Sequence, residues 1–443
     1  MKTNLTQGPI TRSLCLFALP MIAGNLLQQF YNIADTLIVG RYLGSGALAA
    51  VGSSYTFMVF LTSVILGLCM GSGVLFSMLW GAGKIDAMKN SFVQSFIFIA
   101  AITIVIECAV LIFIRPILSI FQIPESIFNE TREYLQIIFY GLIFMFIYNY
   151  FAALLRAVGN SAAPLIFLAV SAVTNIILDL AFILVFDMGV AGAAWATIIA
   201  QALSAVGIAI YMVVKMPQLL PGRQHFYKDR QTFATLARYS FLTCIQQSVM
   251  NFGILMIQGL VNSFGVTVMA AFAAAVKIDS FAYMPIQDFG NAFSTFIAQN
   301  VGARQPERIR RGLRSALITS TVFCLGVSAV IVCFARQLMM IFVQAHETDV
   351  IAIGVQYLRI EGACYVGIGC LFLFYGLYRG LGRSGFSIVL TVISLGTRVV
   401  LAYALAPIPA IGLLGIWWAV PIGWLLADLT GWIYWRHKIC SAK

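Results

Sequence analysis

Asn175 and Asp179 stand four residues apart in an otherwise apolar run. In an α-helix that spacing stacks two side chains on one face. Asp35 in a second apolar run and Thr197 in a third add a carboxylate and a hydroxyl. Two carboxylates, an amide oxygen and a hydroxyl make an all-oxygen set for a hard monovalent metal cation. The same acids can instead hold a proton, because neighbouring carboxylates in a low dielectric share one readily. The competing reading is a buried hydrogen-bond network that ties helices together. An ionisable group among lipid costs about 2.5 to 3.5 kcal/mol by insertion scales, which makes uncompensated acids a poor tie and favours an exchangeable ion.

The elements that position these residues follow from composition. The 443 residues are 61% hydrophobic and 10% charged, with a mean hydropathy of +0.94, where a soluble domain carries about 25% charged residues. This excludes a soluble enzyme on one anchor, a disordered chain and a fibrous one. Polar and Gly/Pro punctuation divides the chain into twelve apolar spans near 13–39, 47–80, 91–114, 132–155, 163–186, 191–214, 237–262, 269–300, 312–335, 354–378, 386–406 and 412–435. The fold class is therefore all-α integral membrane with twelve crossings. The first span carries Asn25, Gln28, Gln29 and Asp35, too long and polar for a signal peptide, and reads as a retained helix. At 1.5 Å per residue, Asp35 lies about 8 Å from the outer face, Asp179 and Thr197 about 10 Å and Asn175 about 16 Å, so four polar groups on three helices share one layer.

Charge sets the orientation. Lys and Arg number 27 against 16 acids. With the N-terminus inside, inner loops and tails hold 20 cations, Lys2, Lys438 and Lys443 among them, and outer loops hold 4, Arg41, Arg115, Arg132 and Arg336. That bias places both termini in the cytoplasm and explains the basic balance without nucleic acid. The arginines at 304–314 follow it and are expected to touch anionic lipid. The nine cysteines form no C-x-x-C pair and read as apolar packers.

The sequence repeats itself. Arg115 with Ile120-Phe121 recurs as Arg336 with Ile341-Phe342, and Gly81-Ala82 as Gly302-Ala303, at an offset of 221. Arg156-x-x-Gly159-x-Ser161 recurs as Arg379-x-x-Gly382-x-Ser384, and Gly192-x-x-Trp195-Ala196 as Gly415-x-x-Trp418-Ala419, at 223. Each unit holds six crossings, an even number. Two like-oriented lobes about the membrane normal are expected, facing a central cavity and rocking about it. The expected division is 1–215, a cytoplasmic linker at 216–232, and 233–443. Under the same offsets Asp35, Asn175, Asp179 and Thr197 map to Met256, Arg398, Ala402 and Val420, so ion coupling is expected in the first lobe only.

Other polar residues in the spans are weaker candidates. Gln28 lies two turns before Asp35, and Tyr148 and Asn149 fit packing as well as function. Asp279 and Arg398 read first as a charge-compensated structural pair, with substrate contact by Asp279 the alternative. Glu361 has Arg359 beside it for a local pair, and Glu107 and Asp428 have no evident partner. Pro20 removes a helical hydrogen bond, so a kink is expected there, with a hinge as its use. Gly380-x-Gly382-x-x-Gly385 matches a dinucleotide fingerprint but follows a long apolar helix where a strand is required, so it reads as a tight turn. The three histidines, His225, His346 and His437, fall in loops or tails, which gives a membrane enzyme no support.

Several segments resemble the multidrug and toxic compound extrusion (MATE) transporters: Ala18-Leu19-Pro20-Met21, Asn32-Ile33-Ala34-Asp35-Thr36, Leu155-Arg156-Ala157-Val158-Gly159-Asn160, and Asn175-Ile176-Ile177-Leu178-Asp179 leading to Gly192-Ala193-Ala194-Trp195-Ala196-Thr197. The resemblance covers the whole chain and its doubled six-helix layout. It implies a secondary antiporter, not an enzyme, that exports cationic or amphipathic drug-like molecules against inward sodium or protons. It also implies that Asp35, Asn175, Asp179 and Thr197 form the coupling site. No cofactor beyond the coupling ion is expected, and a monomer in the cell membrane is. The seventh helix carries Gln246 and Gln247 where some branches of the family place an acid. A lipid-linked or polysaccharide flippase of the same superfamily is the alternative, on the cations Lys277 and Arg398. From another class, a structural or receptor-like membrane protein predicts no ion-dependent flux.

Overall fold

The computed structural model describes residues 3–120 and 123–437. Lys2, Phe121, Lys438 and Lys443, which enter the charge count and the repeat, lie outside the described residues. Within them the chain forms fourteen α-helices and no strand. They are α1 (Ile10–Tyr42), α2 (Gly44–Gly81), α3 (Ile85–Ile120), α4 (Glu125–Tyr140), α5 (Leu142–Ala157), α6 (Ala162–Leu180), α7 (Gly189–Lys215), α8 (Arg230–Asn262), α9 (Val266–Gly302), α10 (Pro306–Met339), α11 (Thr348–Ala363), α12 (Tyr365–Gly380), α13 (Ser384–Leu405) and α14 (Leu413–Trp435). Ten are long and apolar enough to cross a membrane singly, and the pairs α4/α5 and α11/α12, bent by 43° and 54°, bring the number to twelve. Each expected span has its helix or bent pair.

The duplicated sequence produces duplicated distortions. The bends fall at Gly141 and Cys364, 223 residues apart. α3 and α10 break their helical angles at Phe113 and Phe334, 221 apart. Pro116 follows the first break, but Gln337 holds its place after the second, so the break belongs to the repeat and not to the proline. α1, by contrast, is assigned as one continuous helix through Pro20. The Gly380-x-Gly382-x-x-Gly385 stretch is a turn between α12 and α13, with Gly382 at φ +73° as its repeat mate Gly159 is at +83°.

Tertiary contacts divide the chain into two compact units. The first takes Leu19–Cys244 with the N-terminal residues up to Asn4, and the second takes Leu5–Ala18 and the chain from Ile245 onward. The linker and the start of α8 thus go with the first unit, for visible reasons. His225 Nε2 meets Asp86 Oδ1 at 3.0 Å, and Asn90 Nδ2 donates to the carbonyls of His225 and Tyr227 at 2.8 Å each. Asp229 caps α8 by accepting from the Gln231 and Thr232 amides and the Thr232 hydroxyl. The Thr232 bonds hold its carboxyl below the usual range, so the charged cap persists at neutral pH and is lost as pH falls through that lowered value. A Cβ on Gly67 would stand 2.5 Å from Cys244 Cα, and one on Gly71 2.4 Å from Ser240 Cα. Glycine spaced i, i+4 there lets α2 and α8 touch backbone to backbone.

The second unit holds the leading residues of the chain through Arg308, which donates to the carbonyls of Leu5, Gln7 and Gly8 at 3.1, 2.8 and 2.9 Å. Asn300 also donates to Leu5 at 3.2 Å, and Leu5 is fully buried. Within this unit α9 packs closely on α12. A Cβ on Gly376 would stand 2.3 Å from Gly290 O, and one on Gly380 2.6 Å from Ser294 O.

Candidate ion-coupling site

The site grows from the polarity of α6. Ile166, Val170, Val173 and Ile177 are exposed, while Ser171, Ala172, Asn175 and Asp179 are buried. That inversion is what a membrane helix requires: apolar groups toward lipid, polar groups inward. Beyond Leu180 the helix widens into a π-turn, Ala181–Val185, a distortion that recurs at functional positions. α7 approaches through Gly192, Ala193, Ala194, Ala196 and Ala200, all buried, and small residues allow helices to pack closely in a membrane. α1 is placed by Gly24, whose added Cβ would sit 3.4 Å from Leu168 of α6. Asp35 and Asp179 each lie eleven residues, about three turns, beyond that contact. Two parallel helices in register at one level meet again at the next.

The four residues named from sequence come together in the first unit. Asp179 is 0% exposed, Asn175 1% and Thr197 6%; Asp35 is half-buried with Oδ1 enclosed. The Asp35 and Asp179 carboxyls lie within hydrogen-bonding reach of each other. Thr197 Oγ1 donates to Ala193 O at 3.1 Å and accepts from Asn175 Nδ2 at 3.3 Å. This fixes the amide with its oxygen free. Asn175 Oδ1, Asp179 Oδ1 and Oδ2, and Asp35 Oδ1 are all buried and meet no donor among the described residues. No arginine or lysine is among the groups acting on either carboxyl. Buried acceptors without donors are costly. A proton or a monovalent cation supplies what this set lacks, and the residues fit either.

Tyr31 and Tyr134 stand in the electrostatic field of both acids, and sequence reasoning passed over them. Tyr31 is one turn before Asp35, so the i, i+4 rule that paired Asn175 with Asp179 could have found it. Tyr134 is 3% exposed and sits in an apolar cluster with Val39, Ile138, Val190 and Ala193 that walls the site.

The weaker candidates fall elsewhere. Gln28 is exposed. Tyr148 donates to Pro164 O at 2.9 Å and Asn149 to Met145 O at 2.9 Å, so both are spent on local ties. Asp279 and Arg398 do not form the direct pair expected of them. No ion pair joins the two, and the Tyr365 hydroxyl donates to Asp279 Oδ1 at 2.6 Å. Nor does Arg359 pair with Glu361: it is exposed while Glu361 is 1% exposed. Residues two apart on a helix face opposite ways. Lys277 is exposed for the same reason while Asp279 is buried. The described residues hold no group of three or more His, Cys, Asp or Glu able to bind a metal ion.

The MatE family model matches residues 20–181 and 240–404, most of the chain and both repeat units. The chain belongs to the MATE family. The probable multidrug resistance protein YpnP of Bacillus subtilis is 31% identical over 437 residues, covering 98% of this chain and 96% of that protein. The probable multidrug resistance protein NorM of Thermotoga maritima is 28% identical over 420 residues, covering 92% and 88%. An outward-facing multidrug resistance MATE transporter of the MOP superfamily, 23% identical, has the same fold at a TM-score of 0.94, covering 100% of this chain and 98% of that one. This MATE protein is thus a multi-pass membrane protein of a transporter family, and both of these bacterial relatives are named probable multidrug resistance proteins.

Proposed function

We propose that this MATE protein is a secondary antiporter that exports cationic or amphipathic drug-like molecules in exchange for inward sodium or protons. The observation that supports the reading is the set of four buried oxygens from Asp35, Asn175 and Asp179 that meets neither donor nor cation. A monovalent ion entering this set cancels one of the two carboxylate charges and relieves their mutual repulsion in a low dielectric, and its departure restores that repulsion. Binding and release therefore bias the helices between two arrangements, which is the differential affinity that alternating access requires. Thr197 holds Asn175 in place and offers a further oxygen to a metal cation. The protein works as a monomer in the plasma membrane, with both termini cytoplasmic and its inner arginines on anionic lipid.

Dye efflux from vesicles, with a sodium gradient and a pH gradient imposed separately, tests this reading. Efflux driven by at least one gradient is expected. Efflux indifferent to both ends the proposal, and a lipid or polysaccharide flippase would show no dye efflux at all. Pro20→Ala restores the missing amide in α1. Used as a hinge, Pro20 should show itself as slower transport at nearly unchanged membrane abundance; a parallel fall in both would assign the residue to folding.

A further inference from the structure

The linker from α7 to α8 is pinned to the first unit by an imidazole that the coupling site does not use. Met216 and Leu219 anchor its start, both buried in the apolar cluster built on α2, α3 and α5. The chain then makes a single 3₁₀ turn, Arg223–His225, and buries His225 to 2% exposure. The two ring nitrogens face different groups. The Gly222 amide donates to Nδ1 at 2.9 Å, and Nε2 lies 3.0 Å from Oδ1 of Asp86 in the first turn of α3. A ring nitrogen that accepts a hydrogen bond carries no proton, so the neutral ring has its proton on Nε2 and donates it to the carboxylate. A second partner lies beside the first. Gly222 O stands 3.2 Å from Nδ1 and already accepts from the His225 amide at 3.0 Å.

We propose that His225 is a pH-responsive latch on this linker, exchanging the Gly222 amide for the Gly222 carbonyl when its ring takes up a proton. Both nitrogens of an imidazolium are donors. A proton added at Nδ1 meets the Gly222 N–H donor against donor across 2.9 Å. Turning Nδ1–H toward Gly222 O relieves that contact, and a carbonyl oxygen has lone pairs for both the ring and the His225 amide. At Nε2 the bond to Asp86 becomes charge-assisted and is kept. Asn90 holds the linker in both states, because its amide does not titrate and its bonds go to the His225 and Tyr227 carbonyls. The change is therefore confined to the turn. Asp86 is the one charged group bonded to the ring among the described residues. Lys215 at the end of α7, Lys84 before α3, and Arg223 and Lys228 on the linker are exposed, and Lys89 on α3 is half-buried. Asp229 is spent on the α8 cap. Imidazole is the side chain whose charge ordinarily changes between about pH 5 and 8, a range that cells visit. On the orientation proposed above, the latch faces the cytoplasm and responds to internal pH.

Nuclear magnetic resonance on the purified full chain tests the latch without any transport. In protein carrying His346→Gln and His437→Gln, His225 is the one histidine left, and the ring nitrogen shifts report which nitrogen holds the proton. Pro221-Gly222 is the one Pro-Gly pair in the chain, so isotope labels on proline carbonyls and glycine nitrogens together isolate the Gly222 amide. At alkaline pH the ring should show a bare Nδ1 and a protonated Nε2. On acidification both nitrogens should become protonated, and the Gly222 amide should shift with the same midpoint. Asp86→Asn changes a side chain that is 90% exposed. It should move that midpoint to lower pH, by less than about one unit because water screens the carboxylate. A neutral ring protonated on Nδ1, a ring that does not titrate between about pH 5 and 8, or a Gly222 amide that stays fixed while the ring titrates overturns the proposal. Failed dye efflux would end the antiport reading and leave these resonances unchanged, so the two can fail separately.

Discussion

Asp179→Asn should abolish drug efflux in cells while leaving the protein in the membrane at wild-type abundance. The substitution keeps the shape of a side chain that is 0% exposed and removes the charge that an entering cation or proton would neutralise. Losing one charged partner of a buried electrostatic contact costs about 2 to 5 kcal/mol, roughly a thirtyfold or greater loss of ion affinity. Stability moves the other way. The wild-type carboxyl has no donor and faces a second acid, so a neutral amide relieves repulsion. Drug resistance assays alongside immunodetection of membrane fractions check both halves. Gln28→Ala, two turns before Asp35 on the same helix, should leave resistance near wild type, because Gln28 is exposed and makes no hydrogen bond to the cluster. Full resistance in the Asp179→Asn strain would end the coupling assignment.

Gly376→Val should do the reverse, removing protein from the membrane without touching the site. The 2.3 Å separation between the added Cβ and Gly290 O leaves no room, and the obstruction is backbone, which cannot rotate aside. Overpacking costs typically about 1 to 3 kcal/mol, and a backbone collision belongs at or above the upper end. The loss should appear as a several-fold drop in folded, detergent-extractable protein. Gly396→Val on α13 is the control, since a Cβ there meets only the Val392 side chain at 4.0 Å.

The contrast between these substitutions bears on what the chain discloses before it is folded. Span number follows from hydropathy, because lipid admits only helices that satisfy their own backbone. Asp35 and Asp179 could be placed in one layer by counting, because rise per residue is fixed and both helices run the same way. The Asn175–Thr197 bond and the bare amide oxygen could not, since they depend on how closely α7's alanines let it approach. Arg359 and Glu361 were misread because nearness in sequence was taken for nearness in space. A helical wheel separates them. The bends at Gly141 and Cys364 share no residue type, and the breaks in α3 and α10 share a phenylalanine and the arginine two residues on, neither of which signals a break by itself. The Gly376-x-x-x-Gly380 spacing is present in the sequence and carries the contact of α12 with α9.

The most direct test of ion exchange at Asp35 and Asp179 runs transport backwards. Proteoliposomes bearing equal amounts of wild-type or Asp179→Asn protein are given a substrate gradient, with no ion gradient imposed, and movement of labelled sodium and of protons is followed. Wild-type protein should move one of the two ions against the substrate, and the variant should move neither. Ion movement in the Asp179→Asn vesicles at the wild-type rate would contradict the account.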